Sequence, residues 1–512
     1  MACSTDTDNN RLVVSDGTLS NVLFIVVDTL RADYLSTYGG ESATPNIDTL
    51  AASGVRFERA YSHTPITGPS HSSMFTSLLP RAHGVRNHFQ VLNDEHVTLA
   101  EILKRNHWDT AAFVSLGVLK ARVGLSQGFN EYHDSFGLDW WKTSDQLNNE
   151  IFPWISRQKE PFFLWVHYSD PHEPYAPVDR IYPQLLIKQA GAENLTPTIE
   201  ADANTKSIPL VVPPGRTDIK VSTVGAHLRR PIRLQGIRTT DSQIEAECVS
   251  GCESAENIKN PETFSATIVI NNLNDKKTNA NLILRADEVL TLQELRRRYQ
   301  EEVEYSDRQI GFLLDSLRST EQLDDTLIIL TADHGEGLGN HGTMGHVSQL
   351  YDEQLRVPLI LSWPGHLPAN KVVKTPVSLI DLLPTITDLF NLSDDFERAG
   401  RTLVPLMLGS GVHDVTPSII AETFSPPAPR GRRALITNDY KLIVTPTQNL
   451  TELYDLIDDP EELQNEKGRP RVLAELREEL RSNLSNLNAR KPDERPISED
   501  QIRQLRSLGY VR

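Results

Sequence analysis

Cysteine is scarce in this chain, with three residues in 512: Cys3, Cys248 and Cys252. None belongs to a Cys-x-x-Cys pair, which excludes a metal site of that kind. Long apolar runs are also missing. The longest, such as Val22–Val27 and Leu327–Leu330, fall far short of the ~18 residues that span a bilayer as a helix. Positive charge is in deficit, 51 Lys and Arg against 69 Asp and Glu, for a formal net charge of −18. Such a surface repels a polyphosphate backbone and argues against a nucleic-acid partner. It leaves room for a locally electropositive pocket that takes a small anion. A hydrophobic content of 38% with 23% charged residues excludes a disordered chain and predicts a soluble, folded protein. At roughly 150 residues per domain the length predicts about three domains.

The cysteines bear on compartment. Cys248 and Cys252, in Glu-Cys-Val-Ser-Gly-Cys-Glu, are close enough to bridge a short loop, and two unrelated thiols are the equal alternative. Cys3 opens a polar lead, Ser4-Thr-Asp-Thr-Asp-Asn-Asn10. This looks like a bacterial lipoprotein start without its apolar signal segment. The expectation is a cell-envelope or periplasmic protein with a lipid anchor on Cys3. A cytoplasmic protein is the alternative.

Strand and helix patterns alternate along most of the chain. Asn21–Val27 is an apolar, β-branched run that stops abruptly at Asp28. The segments 110–114, 161–167 and 326–333 repeat the pattern. Helical periodicity fills 45–53, 70–79, 98–106 and 292–317. Unbroken apolar strands between helices predict an α/β fold with a mostly parallel sheet covered on both faces. Polar residues at the carboxyl ends of its strands then line the site. Residues 181–289 break the rhythm with Thr, Asn and Pro and short alternating segments, and read as a β-rich insertion. The expected organisation is a polar tail at 1–20 and a catalytic domain at 21–180 and 290–414. The insertion and a small C-terminal α+β unit at 415–512 complete it.

Four residues carry the chemistry. Asp28 ends the first strand, and Asp333 and His334 follow a later one in Thr-Ala-Asp-His-Gly-Glu336. Thr67, in Pro-Ile-Thr-Gly-Pro-Ser-His71, stands immediately before a helix. Two carboxylates, an imidazole and a hydroxyl gathered by parallel strands are a ligand set for one divalent ion. That ion would acidify the threonine hydroxyl, and the helix start would favour an anionic phosphoryl or sulfuryl group. Taken singly, a strand-end Asp is more often a cap or loop residue; the joint placement carries the reading. His71 lies one helical turn beyond Thr67 on the same face, where it would orient the transferring group.

At this point the chain resembles the sulfatase branch of the alkaline phosphatase superfamily. The matching segments include Thr44-Pro-Asn-Ile-Asp-Thr-Leu-Ala51, Asp333-His-Gly-Glu336, Leu355-Arg-Val-Pro-Leu-Ile360 and Asp381-Leu-Leu-Pro-Thr385, with Leu453-Tyr-Asp-Leu456 and Arg503–Tyr510 near the end. The resemblance implies an alkaline-phosphatase-like sheet flanked by helices and a metal-dependent ester hydrolase. It also departs from the pattern. Family sulfatases carry Cys-x-Pro-Ser-Arg, or Ser in first place, whose first residue becomes formylglycine. Here the stretch is Thr67-Gly-Pro-Ser-His71, and Thr cannot become formylglycine. The family's Asp-Asp after the first strand is Asp28-Thr29, and its Asp-Asn pair is Asp333-His334. The set is more similar to the threonine-dependent phosphodiesterases and phosphoglycerol transferases of the superfamily. A nitrogen ligand favours Mn²⁺ or Zn²⁺ over Ca²⁺ or Mg²⁺. By the same resemblance His172 matches a substrate-contacting histidine. His346 falls where many members have Lys or His, and either would serve the leaving oxygen. Asp170 and His167 are weaker candidates for a second metal, as in two-metal relatives.

The expected function is hydrolysis of an anionic phosphoester, a diester or phosphonate monoester, with Thr67 as nucleophile. A sulfuric-ester hydrolase is the first alternative, and a catalytically silent surface-binding protein the second.

Overall fold

A computed structural model describes residues 20–136, 141–159, 161–173, 175, 184–189, 199–200, 206–224, 232–239, 243–250, 265–288, 292–394, 396–409, 418–424, 431–466, 468–487 and 489–493. Cys3 and Cys252, and with them the anchor and the bridge, lie outside the described residues. The chain divides into two compact units, residues 176–297 and the remainder.

The larger unit is built on a nine-stranded sheet. Its order is Lys371–Val373, Val55–Tyr61, Arg356–Ser362, Thr326–Thr331, Asn21–Val27, Phe162–Tyr168, Asp109–Val114 and Glu131–His133, with Val377–Ser378 beside Val55–Tyr61. Arg356–Ser362 runs antiparallel to both of its neighbours, and the other pairs are parallel. The sheet is therefore mixed and mostly parallel. Its three central strands, Thr326–Thr331, Asn21–Val27 and Phe162–Tyr168, are buried at every position. That is why they read as unbroken apolar runs: helices cover both faces and no side of the strand meets water.

Among the helices, Leu99–Arg105 is closed by a capping box. Thr98 Oγ1 accepts from Glu101 N at 3.2 Å and Glu101 Oε2 accepts from Thr98 N at 2.9 Å, which satisfies two end amides at once. The helix Thr67–Thr76 begins three residues before the sequence pattern placed it, and all ten of its residues are buried. Pro69 explains the difference. It lacks an amide hydrogen, but in a first turn that hydrogen has no helical partner anyway, so the helix starts ahead of it.

The strands Ile419–Thr423, Arg432–Ile436, Tyr440–Thr445 and Leu450–Asp455 form a four-stranded antiparallel sheet in sequential order. One of its faces packs Leu435, Leu442 and Leu453 against Leu476 and Leu480 of the helix Pro470–Asn486, together with Leu79 and Ile380 of the larger sheet's surroundings. Among the described residues no helix is long and apolar enough to cross a membrane. The unit 176–297 contains two antiparallel sheets, one three-stranded and one five-stranded. In the five-stranded sheet Ile219, Ile268 and Ile270 are fully buried.

Candidate active site

Parallel register brings the site together. Val26 pairs with Thr331 on one side and His167 on the other, so the residues just past these strands emerge beside one another. Asp28, Asp333, His334, Thr67, His71 and His167 are all fully buried. Thr29 follows Asp28 with φ +58°, a strained conformation for a β-branched residue. It is held there from three sides. Its amide donates to Asp333 Oδ1 at 3.3 Å, its hydroxyl to the Asp28 carbonyl at 2.7 Å, and its own carbonyl accepts from the Tyr299 hydroxyl at 2.6 Å. Thr29 thus stands where the resemblance implies a second aspartate, and it orients Asp333 through its backbone amide.

The four residues singled out in the sequence meet. Thr67 Oγ1 lies 3.3 Å from His334 Nε2. His334 Nε2 is 3.4 Å from Asp333 Oδ2 and 3.8 Å from Asp28 Oδ1. These separations are long for hydrogen bonds. They suit neighbouring ligands on one ion, because bonds of about 2.0–2.2 Å set adjacent ligands roughly 3–3.6 Å apart. Asp28 Oδ1 and Oδ2 and Asp333 Oδ2 are buried without a hydrogen-bond partner, a cost of about 1–3 kcal/mol for each polar group left so. Asp28, Asp333 and His334 offer ligand atoms within 4.8 Å of one another. The residues present therefore fit a divalent cation.

Electrostatics agree. Burial raises the Asp28 carboxyl, and burial with the neighbouring Asp28 charge raises that of Asp333. Burial alone would lower His334, but Asp333 and Asp28 outweigh it and raise that imidazole. Every member of the trio is shifted toward holding positive charge nearby. His334 Nδ1 donates to the Gly335 carbonyl at 2.9 Å, which fixes the tautomer and leaves Nε2 as the ligating lone pair.

His71 is one turn along the helix, its Nδ1 donating to the Thr67 carbonyl at 2.8 Å and lying 3.8 Å from Asp333 Oδ2. Burial and then His167 push it down to about 3, so it is a neutral imidazole. His172 and His346 face each other with ring centroids 5.0 Å apart, and His346 lies 4.6 Å from the His334 ring. Both are lowered by burial. His346 Nδ1 donates to the Glu336 carboxylate, 3.3 Å from each oxygen. Burial pushes Glu336 up to about 7.

The second-metal pair divides. His167 Nε2 is 3.4 Å from Asp28 Oδ2. Asp170 instead accepts from the Ser144 amide at 3.2 Å and from the Ser144 hydroxyl, at the start of the helix Ser144–Arg157. It supports a helix end, as strand-end aspartates often do, and among the described residues it belongs to neither group of possible ligands. Sequence reasoning missed two neighbours. Glu336 stood in plain view within Asp333-His-Gly-Glu336 but was given no part. His88, lowered by burial and by the charges of His346, His334 and His172, had no signal in the sequence.

Residues 20–392 match the family described as Sulfatase, and residues 339–490 that described as N-sulphoglucosamine sulphohydrolase, C-terminal. Among curated relatives, an N-acetylglucosamine-6-O-sulfatase of Bacteroides thetaiotaomicron is 22% identical, over 94% of this chain and 88% of its own. A choline-sulfatase of Rhizobium meliloti is 24% identical, over 88% and 83%. Among solved structures, the phosphonate monoester hydrolase of Agrobacterium radiobacter aligns with a TM-score of 0.61 at 21% identity. It covers 93% of this chain and 100% of that one. The fold is that of the alkaline-phosphatase-like sulfatases and phosphonate hydrolases.

The chain belongs to the sulfatase family, and with that family it is a metal-dependent ester hydrolase.

Proposed function

We propose that this member of the sulfatase family hydrolyses phosphoesters, phosphodiesters or phosphonate monoesters, with Thr67 as its nucleophile. The observation that carries the reading is the threonine hydroxyl at the head of a buried helix, 3.3 Å from His334 Nε2. A residue that can become formylglycine is absent from that position. A divalent ion on Asp28, Asp333, His334 and Thr67, with Mn²⁺ or Zn²⁺ favoured by the nitrogen donor, would supply Lewis acidity that lowers the hydroxyl pKa.

The chain's own residues do the rest. Thr67 Oγ1 gives its proton to a water molecule and attacks phosphorus, and the ester oxygen leaves with the bonding pair. The amides of Thr67 and Gly68, at the start of the helix Thr67–Thr76, face the non-bridging oxygens and stabilise their charge; Pro69 has no amide hydrogen and the Ser70 amide donates to the Ile66 carbonyl. Burial raises the Glu336 carboxyl to about 7 and lowers His346, so near neutral pH Glu336 is the member of the pair that takes up a proton. That pair, with His172 beside it, delivers the proton to the leaving oxygen. Water then attacks the phosphothreonine and regenerates Thr67.

The sulfatase names of the curated relatives favour a second reading, a sulfuric-ester hydrolase. Against it stands the chemistry of release. Formylglycine expels sulfate through its second hydroxyl, and a threonine alkoxide has none. The deciding experiment compares aryl phosphate, phosphodiester, phosphonate monoester and aryl sulfate substrates under identical conditions. Preference for a phosphorus ester is expected. Multiple turnover of the sulfate with little action on the three others would overturn the reading.

A further inference from the structure

Asp333 belongs to two groups of ligand-bearing side chains, not one. Besides Asp28 and His334, it shares a 4.8 Å neighbourhood with a ring nitrogen each of His71 and His167. All three residues of this second group are fully buried. The two imidazoles come from different elements, the helix Thr67–Thr76 and the strand Phe162–Tyr168. Their rings stand 5.0 Å apart at 61°.

Each ring is fixed by one nitrogen and left open at the other. His71 Nδ1 donates to the Thr67 carbonyl at 2.8 Å, and Nε2 has no partner. His167 Nδ1 is 3.0 Å from Ser115 Oγ, and Nε2 has no partner although Asp28 Oδ2 lies 3.4 Å away. Trp165 packs against the His71 ring with centroids 5.3 Å apart. Oriented imidazoles whose other nitrogen is anchored by a backbone or hydroxyl partner are how metal-ligating histidines are built.

We propose that His71, His167 and Asp333 hold a second divalent cation next to the first, with Asp333 shared between the two ions. The donor set of two imidazoles and a carboxylate selects a borderline metal such as Zn²⁺ over Ca²⁺ or Mg²⁺. The proposal rests on the reading of the Asp28–Asp333–His334 site given above and extends it. It also gives His71 a ligand's part in place of direct contact with the transferring group.

The test is metal stoichiometry of the full chain, stripped by chelation and reloaded with Zn²⁺ or Mn²⁺, by elemental analysis and anomalous diffraction. Two ions per chain are expected, with anomalous peaks roughly 3.5–4 Å apart, the usual spacing of paired sites. His71→Asn and His167→Asn should each lower the count to one. The wild-type count needs no variant to fold. One ion per chain in wild type, at Asp28, Asp333 and His334, overturns the second site while leaving the proposed hydrolase intact. No ion at all overturns both. Two ions in wild type with two retained in both variants would place the second elsewhere and also overturn the assignment.

Discussion

Thr67 Oγ1 lies 3.3 Å from His334 Nε2, a contact between the first residue of a helix and the end of a strand distant in sequence. The Ser70 hydroxyl, in the same first turn, donates to the Asp333 carbonyl at 2.7 Å. The helix start is thus tied directly to the strand end that carries two of the proposed ligands. The hydroxyl and the ligands cannot move apart without breaking that tie, which is the preorganisation a nucleophile needs.

Removing the attacking oxygen should abolish turnover. Thr67→Ala is expected to be nearly inactive and to fold normally, and Thr67→Ser partly active, since the oxygen survives with a freer rotamer. Steady-state rates and circular dichroism check both. Wild-type turnover in Thr67→Ala would make a bound water the better nucleophile.

Chelation should abolish activity and lower the melting temperature together, because an ion bound only by the folded chain stabilises it. At a free concentration of 100 times Kd that stabilisation is about 2.7 kcal/mol. Re-addition of Mn²⁺ or Zn²⁺ should restore both. Full activity in exhaustively chelated protein would count against every ligand named here. Asp28→Asn should weaken the response to added metal in a thermal-shift titration.

Glu336→Gln should slow substrates with poor leaving groups far more than activated aryl esters, since only the former need a proton on the departing oxygen. A loss of about 10²-fold or more is expected for alkyl esters. An equal loss across leaving groups would show that Glu336 does not act through proton delivery.

Asp170→Ala should cost about 0.5–2 kcal/mol, the range for losing an acceptor at a helix start, and leave metal content unchanged. Denaturant unfolding with elemental analysis reads both. A fall in bound metal would contradict the placement of Asp170 on Ser144.

His341 gives a pH-dependent contribution to stability. Burial alone would lower it, but Glu353, 2.9 Å away, outweighs that and raises it to about 9. A histidine raised on folding stabilises fully below its unfolded pKa, near 6.5, and loses that contribution as pH climbs through the folded value. The stability gap between wild type and His341→Gln should be widest at pH 6 and close by pH 10. A gap that widens toward alkaline pH would refute the sign.

Much of this protein is written in short segments. An apolar run ending at Asp28 and another followed by Asp333 and His334 announce both their burial and their polar ends. A strand buried on both faces leaves no other place for a charge. The position proposed for the nucleophile was equally local, because Thr67, Pro69 and His71 occur within one helical turn. Three features depended on tertiary structure. His167 lies inside a strand whose residues are all buried, so alternation says nothing about its neighbours. Only the pairing of Val26 with His167 brings it to Asp28. Asp170 carries the same local signature as a ligand, yet packing of the helix Ser144–Arg157 claims it. His88 and Glu336 reach the histidine cluster from loops. Sequence fixes what a residue can do and which element it ends; register and loop path decide which residues it meets, because those depend on contacts made far along the chain.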